Sequence, residues 1–287
     1  MSILKKNTRK KWLYVIIGTA LFLYFFYFQN NSIVTSEYII RSEKVPTSFH
    51  NYKIVQLSDL HNKSFGKNQS KLVTEVKKLE PDMIVFTGDV IDSKRYNEEP
   101  SLVLMEELVQ IAPVYYVTGN HEVWSQKFDT LEDKLRNIGV HVMRNTAEEI
   151  NVGPDKIQMI GIDDPANVEG TKVEDRMKEN ITKSMEEVEP ERSLFQILLS
   201  HRPEMFSLYS EYGFDVVFSG HAHGGQFRIP FVGGLIAPDQ GLFPKYTAGK
   251  YSNNQTTMIV NRGLGNSIIP VRVFNRPEIV LVTLKTG

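Results

Sequence analysis

Six short apolar runs, each ending in polar or glycine residues, constrain the fold of this chain more than any other feature. They start at residues 53, 82, 114, 156, 195 and 215, with "KIVQLSD" and "DVVFSGH" as the first and last. Apolar runs of this length, rich in Val and Ile, are typical of strands buried on both faces. Amphipathic patterns such as "NQSKLVTEVKKLEP" and "QKFDTLEDKLRNIG" lie between several of them. This alternation predicts an α/β fold in which a β-sandwich is flanked by helices.

The six runs and the helical patterns extend over one continuous stretch of the 287-residue chain. We find no internal repeat and no low-complexity linker, so the sequence predicts a single domain over residues 49–287. The tail "TMIVNRGLG…VRVFNRPEIVLVTL" predicts further β structure, at a sheet edge or in a second sheet. The formal net charge of -1 lacks the basic footprint of nucleic-acid binding, so we expect no nucleic-acid partner.

The N-terminus differs from the rest of the chain. Five cations come first, and they are followed by the uncharged run "WLYVIIGTALFLYFFYF" at residues 12–28. As a helix this run would be roughly 25 Å long at 1.5 Å per residue, close to a bilayer core of about 30 Å. A buried core helix and a cleaved signal peptide are the alternatives, although no small-x-small cleavage pattern follows the run.

The cation bias gives the predicted topology. Lys5, Lys6, Arg9, Lys10 and Lys11 place the N-terminus in the cytoplasm, because cations near a span stay on that side. We therefore expect a single-pass protein of the cell membrane whose folded domain lies on the extracytoplasmic side. Its predicted parts are a cytoplasmic basic tail (residues 1–11), a transmembrane signal anchor (12–28), a polar stalk with an initial strand (29–48) and the domain (49–287).

Polar residues of a limited set follow five of the predicted strands. In open α/β sheets ligands collect beyond the carboxyl ends of strands, and five of the seven histidines fall there. Each strand end taken alone is ordinary turn chemistry, but nothing in folding requires all five. The residues are Asp59 and His61; Asp89 and Asp92; Asn120 and His121; His201; and His221 with His223.

These side chains are oxygen and imidazole donors, which bind hard or borderline divalent cations. They outnumber the ligands of one ion, so the sequence predicts two ions about 3.5–4 Å apart with one carboxylate bridging them. The chain contains no cysteine, which excludes thiolate ligands. Manganese suits such a donor set best, and iron and zinc stay open. The glycines of "FSGHAHGGQF" let backbone and ligands approach closely.

Taken together, the five motifs resemble those of the calcineurin-like metallophosphoesterases. The stretches "GHAHGGQFRIPFVGG", "YTAGKY" and "NRGLGNSIIPVRVFNRPEI" are similar to a branch with bacterial membrane-associated phosphodiesterases and UDP-diacylglucosamine pyrophosphatase-like enzymes. The resemblance implies a metallophosphoesterase-type β-sandwich and a metal-dependent phosphoric ester hydrolase, either a phosphodiesterase or a pyrophosphatase.

The resemblance also implies roles for the site residues. Two sets of metal ligands are implied, with Asp89 bridging them. His121 would be the general acid, paired with Asp92 rather than bound to metal. A metal-bridging hydroxide would then attack phosphorus while His121 protonates the leaving group. The first set is Asp59, His61 and His223, and the second is Asn120, His201 and His221.

One departure from the family pattern bears on the substrate. The Ser/Thr protein phosphatases of this superfamily carry an arginine after the aspartate that matches Asp92, whereas Ser93 stands here. This argues against phosphoprotein substrates. The predicted anchor favours envelope phosphodiesters or lipid-linked pyrophosphates, and so a role in lipid metabolism. Arg262 and Arg272 either clamp distal phosphate oxygens or are surface cations.

Two questions stay open at this stage. A non-catalytic metal-binding scaffold of the same fold in the cell envelope is the alternative function, although such a protein would be expected to have lost ligands or His121. The apolar segment "FRIPFVGGLIAPDQGLFPKY", residues 227–246, follows the paired histidines directly. It either folds back into the core or forms an apolar rim that meets a leaflet or a lipid chain.

Overall fold

A computed structural model describes residues 2–167, 172–186, 193–266 and 270–287 of the chain. The helices of this part are α1 (Ser2–Asn31), α2 (Ser70–Lys78), α3 (Glu99–Leu108), α4 (Asn120–Ser125), α5 (Phe128–Ile138), α6 (Lys172–Glu186) and α7 (Phe206–Tyr212). The strands are β1 (Val34–Ser42), β2 (Lys53–Leu57), β3 (Met83–Thr87), β4 (Val114–Val117), β5 (His141–Val142), β6 (Thr146–Val152), β7 (Asp155–Gly161), β8 (Gln196–Leu199), β9 (Val216–Ser219), β10 (Arg228–Ile229), β11 (Gly233–Gly234), β12 (Ile236–Ala237), β13 (Gly241–Leu242), β14 (Gly249–Asn253), β15 (Thr256–Val260) and β16 (Glu278–Thr286).

The larger strands form two six-stranded sheets. The first has the order β1-β16-β2-β3-β4-β5 and the second the order β14-β15-β9-β8-β7-β6. Strands β2, β3, β4 and β5 are mutually parallel, as are β7, β8 and β9. Parallel neighbours need crossover connections, and the amphipathic helices supply most of them. All six strands predicted from the apolar runs are present, so the predicted α/β fold is confirmed.

Three apolar clusters show that the domain is a four-layer sandwich. The middle cluster lies between the two sheets and includes Val85, Ile197 and Phe218, all fully buried. A second cluster packs α2, α3 and α5 against the outer face of the first sheet, and a third packs α6 and α7 against the second sheet. Both faces of the central strands are therefore covered, which explains why these strands read as unbroken apolar runs.

The C-terminal tail adds strands to both sheets. Strand β15 lies inside the second sheet between β14 and β9, as one of the two expectations allowed. Strand β16 is an interior strand of the first sheet, where it pairs with β1 on one side and β2 on the other. Its apolar pattern places Val280 and Val282 in the core between the sheets, which an edge strand would not require.

The segment predicted as a polar stalk with an initial strand, residues 29–48, contains that strand, β1, and is in large part folded into the domain. Strand β1 pairs with β16 over nine residues, and Ile40 and Val45 are buried in the core between the sheets. The domain boundary at residue 49 therefore lies too far along the chain: the sheet begins at Val34. The sequence signal is weak because β1 is an edge strand with mostly polar or half-exposed residues.

Helix α1 precedes the domain, and from Lys10 onward it is largely exposed. Its apolar part, Lys10–Asn31, has a mean hydropathy of 1.6, and 6% of this window is buried against the rest of the chain. The alternative of a buried core helix is therefore wrong. By length and composition the helix could cross a membrane, a test that a signal sequence also passes.

The position of β1 predicts how soluble fragments will behave. A fragment of residues 49–287 loses the nine-residue ladder to β16 and the buried side chains of Ile40 and Val45. Each of these two side chains contributes about 1.5–3 kcal/mol by burial. We expect its free energy of unfolding, from urea titration, to be several kcal/mol below that of a 32–287 fragment. Equal stabilities of the two fragments would contradict the assignment of β1 to the domain.

Candidate metal centre

All nine side chains predicted at the strand ends come together in one buried site. Strands β2, β3 and β4 of the first sheet and β8 and β9 of the second present their carboxyl ends at the same edge of the sandwich. A buried side chain links the sheets just below this edge: the Gln56 amide donates to Thr87 Oγ1 at 3.0 Å and to the Ser219 carbonyl at 2.9 Å. None of the nine residues is more than 5% exposed.

Four of these residues form a first cluster of donor atoms. It consists of Asp59, His61, Asp89 and His223, with one donor atom of each within 4.8 Å of the others. The Nε2 atoms of His61 and His223 lie 3.0 Å apart, and His223 Nε2 is 3.3 Å from Asp59 Oδ1. Two neutral imidazole nitrogens this close attract each other only when a proton or another cation lies between them.

A second cluster lies next to the first and shares Asp89 with it. His201 Nε2 is 3.1 Å from Asn120 Oδ1 and 3.1 Å from His221 Nδ1. Asp89 Oδ2 is 3.3 Å from His201 Nε2 in this cluster and 3.6 Å from His61 Nε2 in the first. One carboxylate oxygen thus lies between two groups of donors, which is the geometry expected of a bridging ligand.

The electrostatics of the site call for positive charge. Asp59 and Asp89 are 0% and 1% exposed, and their ion pairs are with the surrounding imidazoles. Burial lowers the pKa of His201, but the charge of Asp89 and its hydrogen bond outweigh burial and raise the pKa to about 10. Burial dominates at His61, where it lowers the pKa to about 3. The buried carboxylates therefore favour positive charge at this position, which a metal cation would supply.

The residues present fit a pair of divalent cations. Each cluster offers carboxylate or carboxamide oxygen together with imidazole nitrogen, the donor set of manganese, iron and zinc sites. His201 Nδ1 lies 2.7 Å from the Thr87 carbonyl, so this nitrogen carries the proton and Nε2 keeps its lone pair for a ligand bond. Hydrogen bonds of this kind fix the tautomer of metal-binding histidines.

The backbone at the site is bent in a way that brings these side chains inward. Five of the site residues have φ between 47° and 63°, in the left-handed region that non-glycine residues rarely adopt: Asp59, His61, Asp89, His221 and His223. Gly88 has φ 88°, and a Cβ there would lie 2.7 Å from His201 Nδ1. Only glycine permits this approach of β3 to the imidazole, which explains one of the glycines next to the motifs.

His121 is near Asp92, but the closest contacts of each are with other groups. One nitrogen of His121 lies within 4.8 Å of an Asp92 oxygen and a His61 nitrogen. His121 Nδ1 accepts a hydrogen bond from the Ser93 N–H at 3.0 Å. The Asp92 carboxylate accepts hydrogen bonds from Arg95 Nε at 3.2 Å and Nη2 at 2.6 Å. The implied His121–Asp92 pair is therefore an approach rather than a direct hydrogen bond.

The sequence analysis missed two carboxylates that hold site residues in place. Glu122 is fully buried and accepts the backbone N–H groups of Gly119, Asp89 and Ile91 at 2.7, 2.8 and 3.2 Å. Burial, and next the charge of Asp89, raise its pKa to about 7. The signal that could have found it is its place three residues after Gly119, at the N3 position of α4, where a glutamate side chain can accept the N–H of the N-cap residue.

The second missed carboxylate is Asp239, from the segment that follows the paired histidines. Its Oδ2 lies 3.0 Å from His221 Nε2 and accepts a hydrogen bond from Arg202 Nη1 at 2.7 Å. Because Asp239 occupies Nε2, His221 is left with Nδ1 facing the second cluster. No sequence pattern pointed to Asp239, because it is 18 residues away from His221, the residue that it contacts.

Both expectations for Arg272 are wrong. It is 1% exposed, and its guanidinium donates to the Gly265 and Arg262 carbonyls, so it is neither a phosphate clamp nor a surface cation. Arg262 is partly buried and pairs with Glu278 at 3.2 Å. The role of Arg272 is structural: its guanidinium donates to several backbone carbonyls and holds the loop after β15 in place.

The expectation that residues 227–246 fold into the core is also wrong for most of the apolar side chains. Phe231 is fully exposed, and Leu242 and Phe243 are 67% and 64% exposed. The segment folds as two short antiparallel hairpins, β10–β11 and β12–β13. Its backbone is ordered by hydrogen bonds while the apolar side chains face outward.

Comparisons with known proteins agree with this site. The family model described as calcineurin-like phosphoesterase matches residues 52–225. The chain is 31% identical over 271 residues to an uncharacterized metallophosphoesterase, YkuE, of Bacillus subtilis, covering 91% of this chain and 88% of that protein. It is 26% identical over 249 residues to the phosphodiesterase YaeI of Escherichia coli, covering 81% and 82%.

A third relative comes from a vertebrate. The chain is 27% identical over 258 residues to a transmembrane protein with metallophosphoesterase domain of Danio rerio, covering 85% of this chain and 55% of that protein. The family match spans the five strand ends up to Gly225, and the histidines and aspartates that it brings together form the two clusters described above. The chain therefore belongs to the calcineurin-like phosphoesterase family and is a metal-dependent phosphoester hydrolase.

Proposed function

We propose that this protein is a membrane-anchored hydrolase with two divalent metal ions that cleaves phosphodiester or pyrophosphate bonds of envelope or lipid-linked substrates. The observation that carries the proposal is Asp89, whose Oδ2 lies 3.6 Å from His61 Nε2 and 3.3 Å from His201 Nε2. A carboxylate between two donor clusters can act as a bridging ligand only if each cluster holds a metal ion. The similarity to the phosphodiesterase YaeI supports the choice of bond.

The proposed ligands are divided between the two clusters. Asp59, His61 and His223 would hold the first ion, Asn120, His201 and His221 would hold the second, and Asp89 would contribute to both. When bound, such ions would activate a water molecule near neutral pH and neutralise charge on the phosphoryl oxygens. Manganese is the proposed metal, with iron and zinc as alternatives.

His121 is proposed to supply the proton for the leaving oxygen. In the arrangement described, its Nδ1 accepts the Ser93 N–H, so the neutral ring keeps its proton on Nε2. The protonated ring cannot accept that N–H. Protonation therefore requires a small rotation of the ring towards the Asp92 carboxylate, which already lies within 4.8 Å. Asp92 is thus proposed as a positioning residue for the His121 ring.

Substitutions separate the metal ligands from the acid. We expect Asp89→Ala and His223→Ala to lose bound metal, because each removes a donor from a buried cluster. His121→Ala should keep its metal and lose about 10²–10⁴ in turnover, the usual contribution of a general acid. The measurements are metal content by mass spectrometry and hydrolysis of bis-nitrophenyl phosphate. A His121→Ala protein as poor in metal as Asp89→Ala would refute the assignment.

The same measurements distinguish the enzyme from a non-catalytic scaffold of the same fold. A scaffold would bind metal at Asp59 and Asp89 but hydrolyse no diester or pyrophosphate above the rate in buffer. The family match and the presence of the acid and every ligand, buried together, support the enzyme.

The residue after Asp92 predicts substrate preference. Ser93 stands where protein phosphatases of this superfamily have arginine, and here it contacts His121 Nδ1 through its N–H and Oγ at 3.0 and 3.3 Å. We expect kcat/KM for bis-nitrophenyl phosphate or a lipid-linked pyrophosphate to exceed that for a phosphopeptide by at least tenfold, a difference of about 1.4 kcal/mol in transition-state binding. Faster cleavage of the phosphopeptide would overturn this preference.

The anchor and its orientation are part of the proposal. The exposed apolar helix α1 and a transmembrane relative support a single membrane span, and the basic N-terminus supports a domain on the outer side. We expect protease added to intact cells with permeable walls to digest residues 29–287 and to leave a tag on residue 1 intact. A domain that is digested only after the membrane is opened would reverse the orientation.

A further inference from the structure

The outer end of α1 is attached to the loops that carry the metal centre. The Asn30 carbonyl accepts a hydrogen bond from the Lys63 ammonium, and Lys63 is two residues after His61. The Asn30 side-chain oxygen accepts the Arg272 N–H at 3.1 Å. Arg272 Nη2 in turn lies 3.5 Å from His223 Nδ1. The end of the helix is therefore fixed on the side of the domain that carries the site.

An aromatic contact extends this attachment along the helix. The rings of Phe25 and Phe274 pack edge to face with centroids 5.6 Å apart. Phe25 lies six residues before the end of α1 at Asn31, which corresponds to roughly 9 Å along the helix axis. Phe274, 53% exposed, thus contacts the helix well inside the part that is apolar enough to cross a membrane.

Next to Phe274, several short segments of the chain lie side by side, and each is hydrogen-bonded to its neighbour. We call this arrangement the ladder. Val273 forms a parallel bridge with Phe227. Leu235 N–H donates to the Phe227 carbonyl at 2.8 Å, and Phe243 N–H donates to the Leu235 carbonyl at 2.9 Å. With about 4.8 Å between neighbouring strands, the last segment lies roughly 15 Å from Val273.

Exposed apolar side chains are concentrated on this ladder. Outside α1, seven of the nine large apolar side chains that are exposed in the described part of the chain belong to it. Three of them are phenylalanines with φ between 51° and 66°, at turn positions where glycine or asparagine would be easier to accommodate. We call these seven the apolar rim: Ile229, Phe231, Val232, Ile236, Leu242, Phe243 and Phe274.

We propose that the apolar rim inserts into the lipid bilayer, at the boundary between headgroups and acyl chains of the leaflet that holds the C-terminal end of α1. The rim is assigned to a bilayer because the Phe25–Phe274 contact makes it continuous with a helix that is long enough to span one. Lys245, exposed two residues beyond Phe243, suits the lipid phosphates at the same level. The metal centre is then held at the membrane surface, within reach of a substrate that stays in the leaflet.

Spin labels can test this insertion on the full chain. The sequence contains no cysteine, so Phe231→Cys and Leu242→Cys each give one labelling position at a side chain that packs against little of the protein. Gln255→Cys is the matched control. It is exposed and immediately precedes β15, which runs parallel to β9, so it lies at the end of the sheet away from the metal centre.

The measurement is the collision rate of each label with oxygen and with a nickel chelate, in discs of phosphatidylethanolamine and phosphatidylglycerol. We expect labels at 231 and 242 to have an oxygen-to-nickel ratio several-fold above that at 255, since oxygen concentrates in the acyl region and the chelate stays in water. Labels at 231 and 242 as accessible to nickel as the control would overturn the proposal. Spin–spin broadening with low access to both reagents would also overturn it, by showing contact with a second copy.

The inference rests on the proposed membrane anchor but not on the proposed reaction. Discs that fail to retain the full chain would overturn the anchor and the insertion together. A chain that is retained but shows water-exposed labels would overturn the insertion alone. Hydrolytic activity does not enter the measurement, so a wrong substrate class would leave its result unchanged.

Discussion

The structure depends most on two carboxylates, Asp59 and Asp89, which are buried at the meeting edge of two sheets. An uncompensated buried charge is strongly destabilising, so every strand that ends here contributes a group that can balance or share it. Imidazoles from both sheets surround the carboxylates, with contacts between 3.3 and 4.0 Å. The affinity of the site for cations follows from that burial.

Holding these groups in place is costly for the backbone and needs a second layer of partners. Left-handed conformations at non-glycine residues cost on the order of 1–3 kcal/mol each, and five site residues adopt them. Fixed hydrogen bonds offset this cost: Glu122 accepts three backbone N–H groups, and Asn275 donates to the carbonyls of His223 and Gln226 at 2.7 and 3.0 Å. The conformation of the site residues thus depends on neighbours that are not among the proposed metal ligands.

The sequence was sufficient for the α/β architecture, for the six central strands and for bringing the nine site residues to one edge, because strands buried on both faces and polar strand ends leave local patterns. It was insufficient where tertiary pairing decides. Strand β1 is amphiphilic and is held by its ladder to β16. The carboxylate of Asp239 reaches His221 only through the fold of an irregular segment. Burial of Arg272 likewise depends on how the loop after β15 folds around it, since its guanidinium donates to the Gly265 and Arg262 carbonyls of that loop.

One segment joins the metal centre to the exposed apolar side chains. Residues 227–246 begin next to His223, supply Asp239 to His221 Nε2 at 3.0 Å, and present Phe231 and Phe243 to the outside. The same segment is fastened at its base, where Gln226 Nε2 donates to the Val271 carbonyl at 3.0 Å and Phe227 bridges Val273. Since Asp239 lies in the turn of the second hairpin, between β12 and β13, a shift of that hairpin moves the carboxylate that orients His221. The position of the segment and the geometry of the second cluster are therefore mechanically coupled through one hydrogen bond.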